Sequence, residues 1–263
     1  MRLLLFLAGC LLWSVAPLRA ADAPPADDTP YDPLAGAPAP LAAAIRGFAK
    51  DANRWAYTQR FEQLDRKGVS KDVWVARHDP SQHYDTQWTL LERNGKKPTE
   101  RQQKKFREER LELERKNRKA LGELLDLKQA VLLADQADSP DCLTYEVPLL
   151  RSDDMRLPPE KFLVHVKISR EGQRLQAIDV LLRGKLRVVG VVSVKSGEAH
   201  LRFTDVRPDC GPAVSSVSAT GVASVMFIPF GGTSTVTRSD FKRVTPYDDR
   251  FQVKFGPLRT LDF

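Results

Sequence analysis

Few residues in this sequence combine the types and spacing that chemistry needs. His78-Asp79-Pro80-Ser81-Gln82-His83, with Asp85 beyond, offers imidazoles and carboxylates of the kind that bind a divalent cation. Pro80 denies this stretch the helical face on which two histidines would converge, so it reads as a polar loop. Ser239-Asp240-Phe241-Lys242 satisfies Ser-x-x-Lys, and Lys195-Ser196-Gly197 is close to the Lys-Thr-Gly string of acyl-serine enzymes. Their order along the chain is reversed for that mechanism, and no Ser-Asp-Asn lies between them. Gly-x-Ser-x-Gly, the phosphate-binding P-loop and His-Glu-x-x-His are all absent. His165 and His200 each sit between apolar neighbours whose side chains point to the other sheet face, which places both at the surface. The expectation is a protein that is not an enzyme, with no catalytic residue, no metal site and no cofactor.

Apolar recognition is the better-supplied chemistry. Trp55, Tyr57 and Phe61 fall on one face of a predicted strand and Trp88 on another, and these four are the expected lining of a ligand cavity. As aromatics at strand spacing, the same residues also fit a packed core. Cys142 and Cys210 occur in matching strings, Pro140-Asp141-Cys142 and Pro208-Asp209-Cys210, and are expected to form a disulfide closing a loop of about 70 residues.

The compartment is set by the N-terminus. Residues 1–20 carry Arg2, an apolar run from Leu3 to Val15 and a small residue at Ala20, the pattern of a secretory signal peptide. Pro17 and Arg19 cut the run short of the roughly 20 residues that a membrane span needs. Leu7-Ala8-Gly9-Cys10 is a competing feature, a lipobox that would make Cys10 a lipidated terminus. Cleavage after Ala20 removes Arg2 and Arg19 and lowers the net charge of the 263-residue chain from +7 to +5. Export removes nucleic acid as a natural partner for that charge.

Residues 21–40 hold six prolines, four aspartates and no basic residue, and read as a flexible leader. Leu41, Ile45 and Phe48 then recur at helical spacing. Alternation around Trp55–Phe61, Val73–Arg77 and Trp88–Leu90 predicts an antiparallel meander. Residues 98–134 change to a helical pattern and are read as two helices, one solvated and one packed, hinging near Asn117–Gly122. Residues 93–128 carry thirteen Lys or Arg against seven Asp or Glu; Lys104, Lys105 and Arg107 mark the basic surface of this insertion. Strands return after Leu143 and continue through Val244. The expected fold is α+β and mainly antiparallel β. It is a curved, open half-barrel of about ten or eleven strands with an N-terminal helix and an inserted helix pair, forming a single domain over 41–263.

The early helix, the strand opening Trp55-Ala56-Tyr57-Thr58, the helices after the third strand and the closing string Ser239-Asp240-Phe241-Lys242-Arg243 resemble the half-barrel proteins related to the outer-membrane lipoprotein carriers of the bacterial periplasm. Asp79-Pro80-Ser81, Trp88-Thr89-Leu90-Leu91 and Asn94-Gly95-Lys96-Lys97-Pro98-Thr99 are similar to strings in an uncharacterised branch of such proteins. The resemblance implies a binding protein for a lipid, an acyl chain or a lipid-modified protein of the envelope. The basic insertion would then meet an anionic membrane surface or, in a second reading, an envelope protein.

Overall fold

Alternation of apolar and polar residues makes strand the main regular structure among the described residues. A computed structural model describes residue 32 and residues 34–116, 121–134, 141–151, 158–188, 192–225 and 228–250. The predicted signal peptide, Cys10 and most of the leader lie outside the described residues. The strands are β1 (Trp55–Asp65), β2 (Ser70–His78), β3 (Trp88–Arg93), β4 (Val131–Leu132), β5 (Cys142–Glu146), β6 (Phe162–Ser169), β7 (Leu175–Leu182), β8 (Leu186–Val188), β9 (Val192–Thr204), β10 (Ala213–Val225) and β11 (Ile228–Arg243). The helices are α1 (Ala39–Asp51), α2 (Glu100–Lys116) and the single turn α3 (Leu121–Leu124).

The strands form one antiparallel sheet in the order β3-β2-β1-β11-β10-β9-β7-β6-β5-β4, with β8 also paired to β9. Pairing of β1 with β11 joins the N-terminal meander to the second half of the chain. β3 and β4 remain as edges, so the sheet is an open half-barrel. Register shifts at Ala56/Thr58, Gln63/Leu64, Val75/Ala76 and Val222/Ala223 mark bulges, which bend and twist the strands that carry them.

The concave face holds the core. Phe162, Val164, Val166 and Ile168 of β6 are buried while the residues between them are not, the pattern that their alternation predicts. Leu41, Ile45 and Phe48 present the apolar stripe of α1 to this face, with Phe48 edge-on to Phe203 at 5.3 Å. The C-terminus of α1 is fastened by Asp51, whose carboxylate accepts the Gly211 N–H at 2.8 Å and an Arg243 N–H at 2.9 Å. Only glycine fits at 211, because a Cβ there would lie 2.1 Å from the Gly47 carbonyl oxygen.

Four expectations change. Leu34, assigned to the leader, is buried in the core. The packed helix expected up to residue 134 is one turn; beyond it Leu125 bridges to Leu149, Leu127–Gln129 form a 3-10 turn and β4 pairs with β5. A short apolar run such as Leu124–Leu133 does not declare its period, and β5 supplies a strand partner. Cys142 and Cys210 are both free thiols. Cys142 opens β5 and Cys210 lies in the loop between β9 and β10, with β6 and β7 between β5 and β9 in the sheet. His165 and His200 are on the outer face as expected, but both are half-buried.

Candidate functional site

Two sites occupy the concave face. The first is an aromatic box. Cross-strand register sets Tyr57 opposite His78 and His78 opposite Trp88, with Phe61 opposite Trp74. Phe61 and Trp74 stack at 5.1 Å. Phe106 and Arg110, one helical turn apart on α2, lie on these rings: Phe106 meets Trp74 edge-on at 5.1 Å, and the Arg110 guanidinium is 4.4 Å from the Trp74 centroid. Glu114, one turn further, accepts the Trp88 indole N–H at 2.6 Å. The Gln103 side chain exchanges both of its amide hydrogen bonds with the Leu90 backbone, so α2 also covers part of edge strand β3.

Burial dominates the electrostatics of this box. It lowers the His78 pKa to about 3, helped by the charge of Arg238 and opposed by Asp79, so the imidazole is neutral. His78 Nδ1 is buried without a hydrogen-bond partner among the described residues. Burial likewise lowers Arg110 to about 9 and raises Tyr57 and Glu114. Arg238 closes the box from β11, 4.4 Å above the Tyr57 ring and donating to Gln59.

Trp55, Tyr57, Phe61 and Trp88, the four aromatics expected to line a cavity, are brought together here and are all buried. Trp55 joins through Phe241, which sits edge-on to it at 6.3 Å.

The second site is a trough of 810 Å³ further along the same face, and none of those four aromatics lines it. Its apolar surface comes from Phe162, Val180, Leu182, Ala199, Ala219 and Phe230, which are contributed by β6, β7, β9, β10 and β11. Gly197 of β9 is paired with Gly221 of β10, and Gly221 with Gly232 of β11. Three adjacent strands therefore carry no side chain on one transverse row, and this row is part of the trough wall. A Cβ at Gly232 would lie 2.0 Å from the Leu64 carbonyl oxygen, so that end of the row cannot be filled without moving β1. Arg66, Lys67 and Lys71 stand at the rim. Lys71 pairs with Asp65 at 3.2 Å, and Asp65 also accepts the Lys67 and Val69 N–H groups of the β1–β2 turn.

The individual glycines are visible in the sequence as strand punctuation. Their alignment depends on strand register, which no local pattern reveals.

Lys104 and Lys105 are exposed on α2, at 4.0 Å from Glu108 and 3.9 Å from Glu109, while Arg107 is half-buried. The histidine loop is organised by Asp79, which accepts from the Ser81 N–H and hydroxyl. Among the described residues no group of three His, Cys, Asp or Glu is placed to hold a metal ion. On the convex face Asp179 gathers His200 at 2.8 Å and Arg202 at 2.6 Å. Burial opposes its charge, but these partners hold its pKa below the usual carboxylate value.

These features define a class: an open antiparallel half-barrel whose concave face is part helix-covered core and part apolar trough. No family model, curated protein or solved structure matches the chain. No helix among the described residues is long and apolar enough to cross a membrane.

Proposed function

We propose that this protein is an exported, carrier-like binding protein that holds an acyl chain of the cell envelope in the trough and performs no catalysis. The observation that carries this reading is the 810 Å³ apolar trough, its glycine row leaving room for a chain to cross three strands. That volume lies within the range of small-molecule sites. About ten methylenes buried there would contribute on the order of 8 kcal/mol before the costs of binding. The cations at one end of the trough complement a carboxylate or phosphate headgroup.

Native mass spectrometry of the protein isolated gently from envelope fractions, followed by organic extraction, tests the reading. It expects a bound acyl lipid and displacement of that lipid by a fluorescent fatty acid. A protein that arrives empty and takes up no fatty acid excludes it.

A second reading is a protein-interaction module. It is favoured by edge strand β4, where Val131 and Leu132 are 60% and 52% exposed. A partner captured through β4, with no lipid in the trough, would favour that alternative.

A further inference from the structure

The register places the β1–β2 turn, the turn after β3, the end of β7 and the whole of β8 at one end of the sheet, β8 continuing along β9 in the direction of β7. Exposed cations collect there. Arg66 and Lys67 occupy the first turn, Lys96 and Lys97 follow β3, and Lys185 and Arg187 follow β7. None of these six has a carboxylate partner among the described residues. The nearby carboxylates Asp65, Asp72 and Glu146 are engaged by Lys71, Arg93 and Arg183. At the opposite end four arginines are paired with aspartates: Arg54 with Asp249, Arg243 with Asp51, Arg174 with Asp205 and Arg207 with Asp209. Six exposed cations without a carboxylate partner therefore gather at one end of the sheet, against Lys50, Lys242 and Arg250 at the other. Arg66 and Lys67 of this basic end also line the trough. Val69, between those cations and Lys71, is 52% exposed.

We propose that this end of the half-barrel docks on an anionic lipid bilayer, with Arg66 and Lys67 of the trough lining facing the headgroups. Uncompensated cations on one rim match a continuous negative surface better than a point ligand, and exposed Val69 at a turn tip is suited to the headgroup boundary. The α2 helix is the weaker candidate, since Glu108 and Glu109 stand beside Lys104 and Lys105. Docking concerns the outside of the protein and does not depend on what the trough holds.

Co-sedimentation with vesicles tests the assignment. The protein should bind vesicles of phosphatidylglycerol and phosphatidylcholine in equal parts and ignore pure phosphatidylcholine, with affinity falling as salt rises. Each cation near an anionic surface is worth about 1 kcal/mol, or roughly fivefold. R66Q/K67Q and K185Q/R187Q should each lower the association constant by about 25-fold, while K104Q/K105Q leaves it nearly unchanged. The trough-filling variant A219F should dock like the native chain, so loss of the ligand reading and loss of this one are separable. Absence of binding, equal binding to neutral vesicles, an equal loss in K104Q/K105Q, or equal affinity for a DNA duplex in solution would overturn it.

Discussion

The guanidinium carbon of Arg110 lies 4.4 Å from the centre of the Trp74 ring and 4.7 Å from that of Phe106, so a helix made largely of charged residues is fastened to the sheet by one of its own cations. The exposed face of α2 carries Lys104, Lys105, Glu108 and Glu109, and among the residues whose burial is described only Phe106 and Arg110 are fully buried. These two side chains, with the Gln103 and Glu114 hydrogen bonds to β3, hold α2 over the aromatic box.

Arg110→Ala should therefore cost about 2–4 kcal/mol, combining a desolvated cation–π contact with the lost packing of the arginine stem. Arg110→Lys should recover less than half of that, because an ammonium cannot lie flat against several rings. Urea unfolding reads the stability, and near-ultraviolet circular dichroism reports the packing of Trp74 and Trp88.

Asp51 joins α1, the β9–β10 loop and β11. Burial opposes its ionisation, but the Gly211 N–H and Arg243 outweigh it and hold its pKa below the usual 3.8. A carboxyl lowered in the folded state contributes stability that is complete above its unfolded value and is lost as pH falls through the folded value. Asp51→Asn should cost about 1–3 kcal/mol at pH 7, because the buried acceptor loses its charge-assisted hydrogen bonds from the Gly211 N–H and Arg243. Urea titrations at descending pH should show that gap holding down to about pH 4 and closing below it.

His78 acts over a different window. Its folded pKa of about 3 lies below the ordinary 6.5, so the unfolded chain binds the extra proton between those values and folding loses stability as pH falls through them. The native protein should lose about 2 kcal/mol between pH 6.5 and 5 from this residue alone. Unfolding free energies for His78→Phe should be flatter over that interval. Asp51 does not titrate there, so the two contributions separate by pH.

Much of the architecture was legible because it rests on local periodicity. Phe162, Val164, Val166 and Ile168 announce β6, and Leu41, Ile45 and Phe48 announce α1 with the buried face each presents. What was not legible depends on partners distant in sequence. Arg110 is one basic residue among many until Trp74 and Phe106 are seen around it. Gly197, Gly221 and Gly232 become a row only once β9, β10 and β11 are in register. The matching strings around Cys142 and Cys210 concealed that one opens β5 and the other lies in the β9–β10 loop, beyond β6 and β7 in the sheet order.

The two thiols give a direct check on strand order. Non-reducing and reducing electrophoresis of the exported protein should coincide, and denaturant without reductant should expose two titratable thiols. Cys210, buried beside α1, should react more slowly in the native state than half-buried Cys142. Reductant should leave the unfolding midpoint unchanged.

The trough and the aromatic box make opposite demands on mutation. Trp88 is 5% exposed and packs against Tyr57, His78 and Phe106. Trp88→Ala should cost about 3–5 kcal/mol and leave fatty-acid uptake intact under conditions where the protein stays folded. Ala219 is only partly buried and borders the open trough, so Ala219→Phe adds a ring to empty space rather than to packed core. Its unfolding free energy should stay within about 1 kcal/mol of the native value while fatty-acid fluorescence titrations show binding reduced at least tenfold. If Ala219→Phe binds normally and Trp88→Ala does not, the acyl chain lies among the aromatics instead, and α2 would have to lift to admit it.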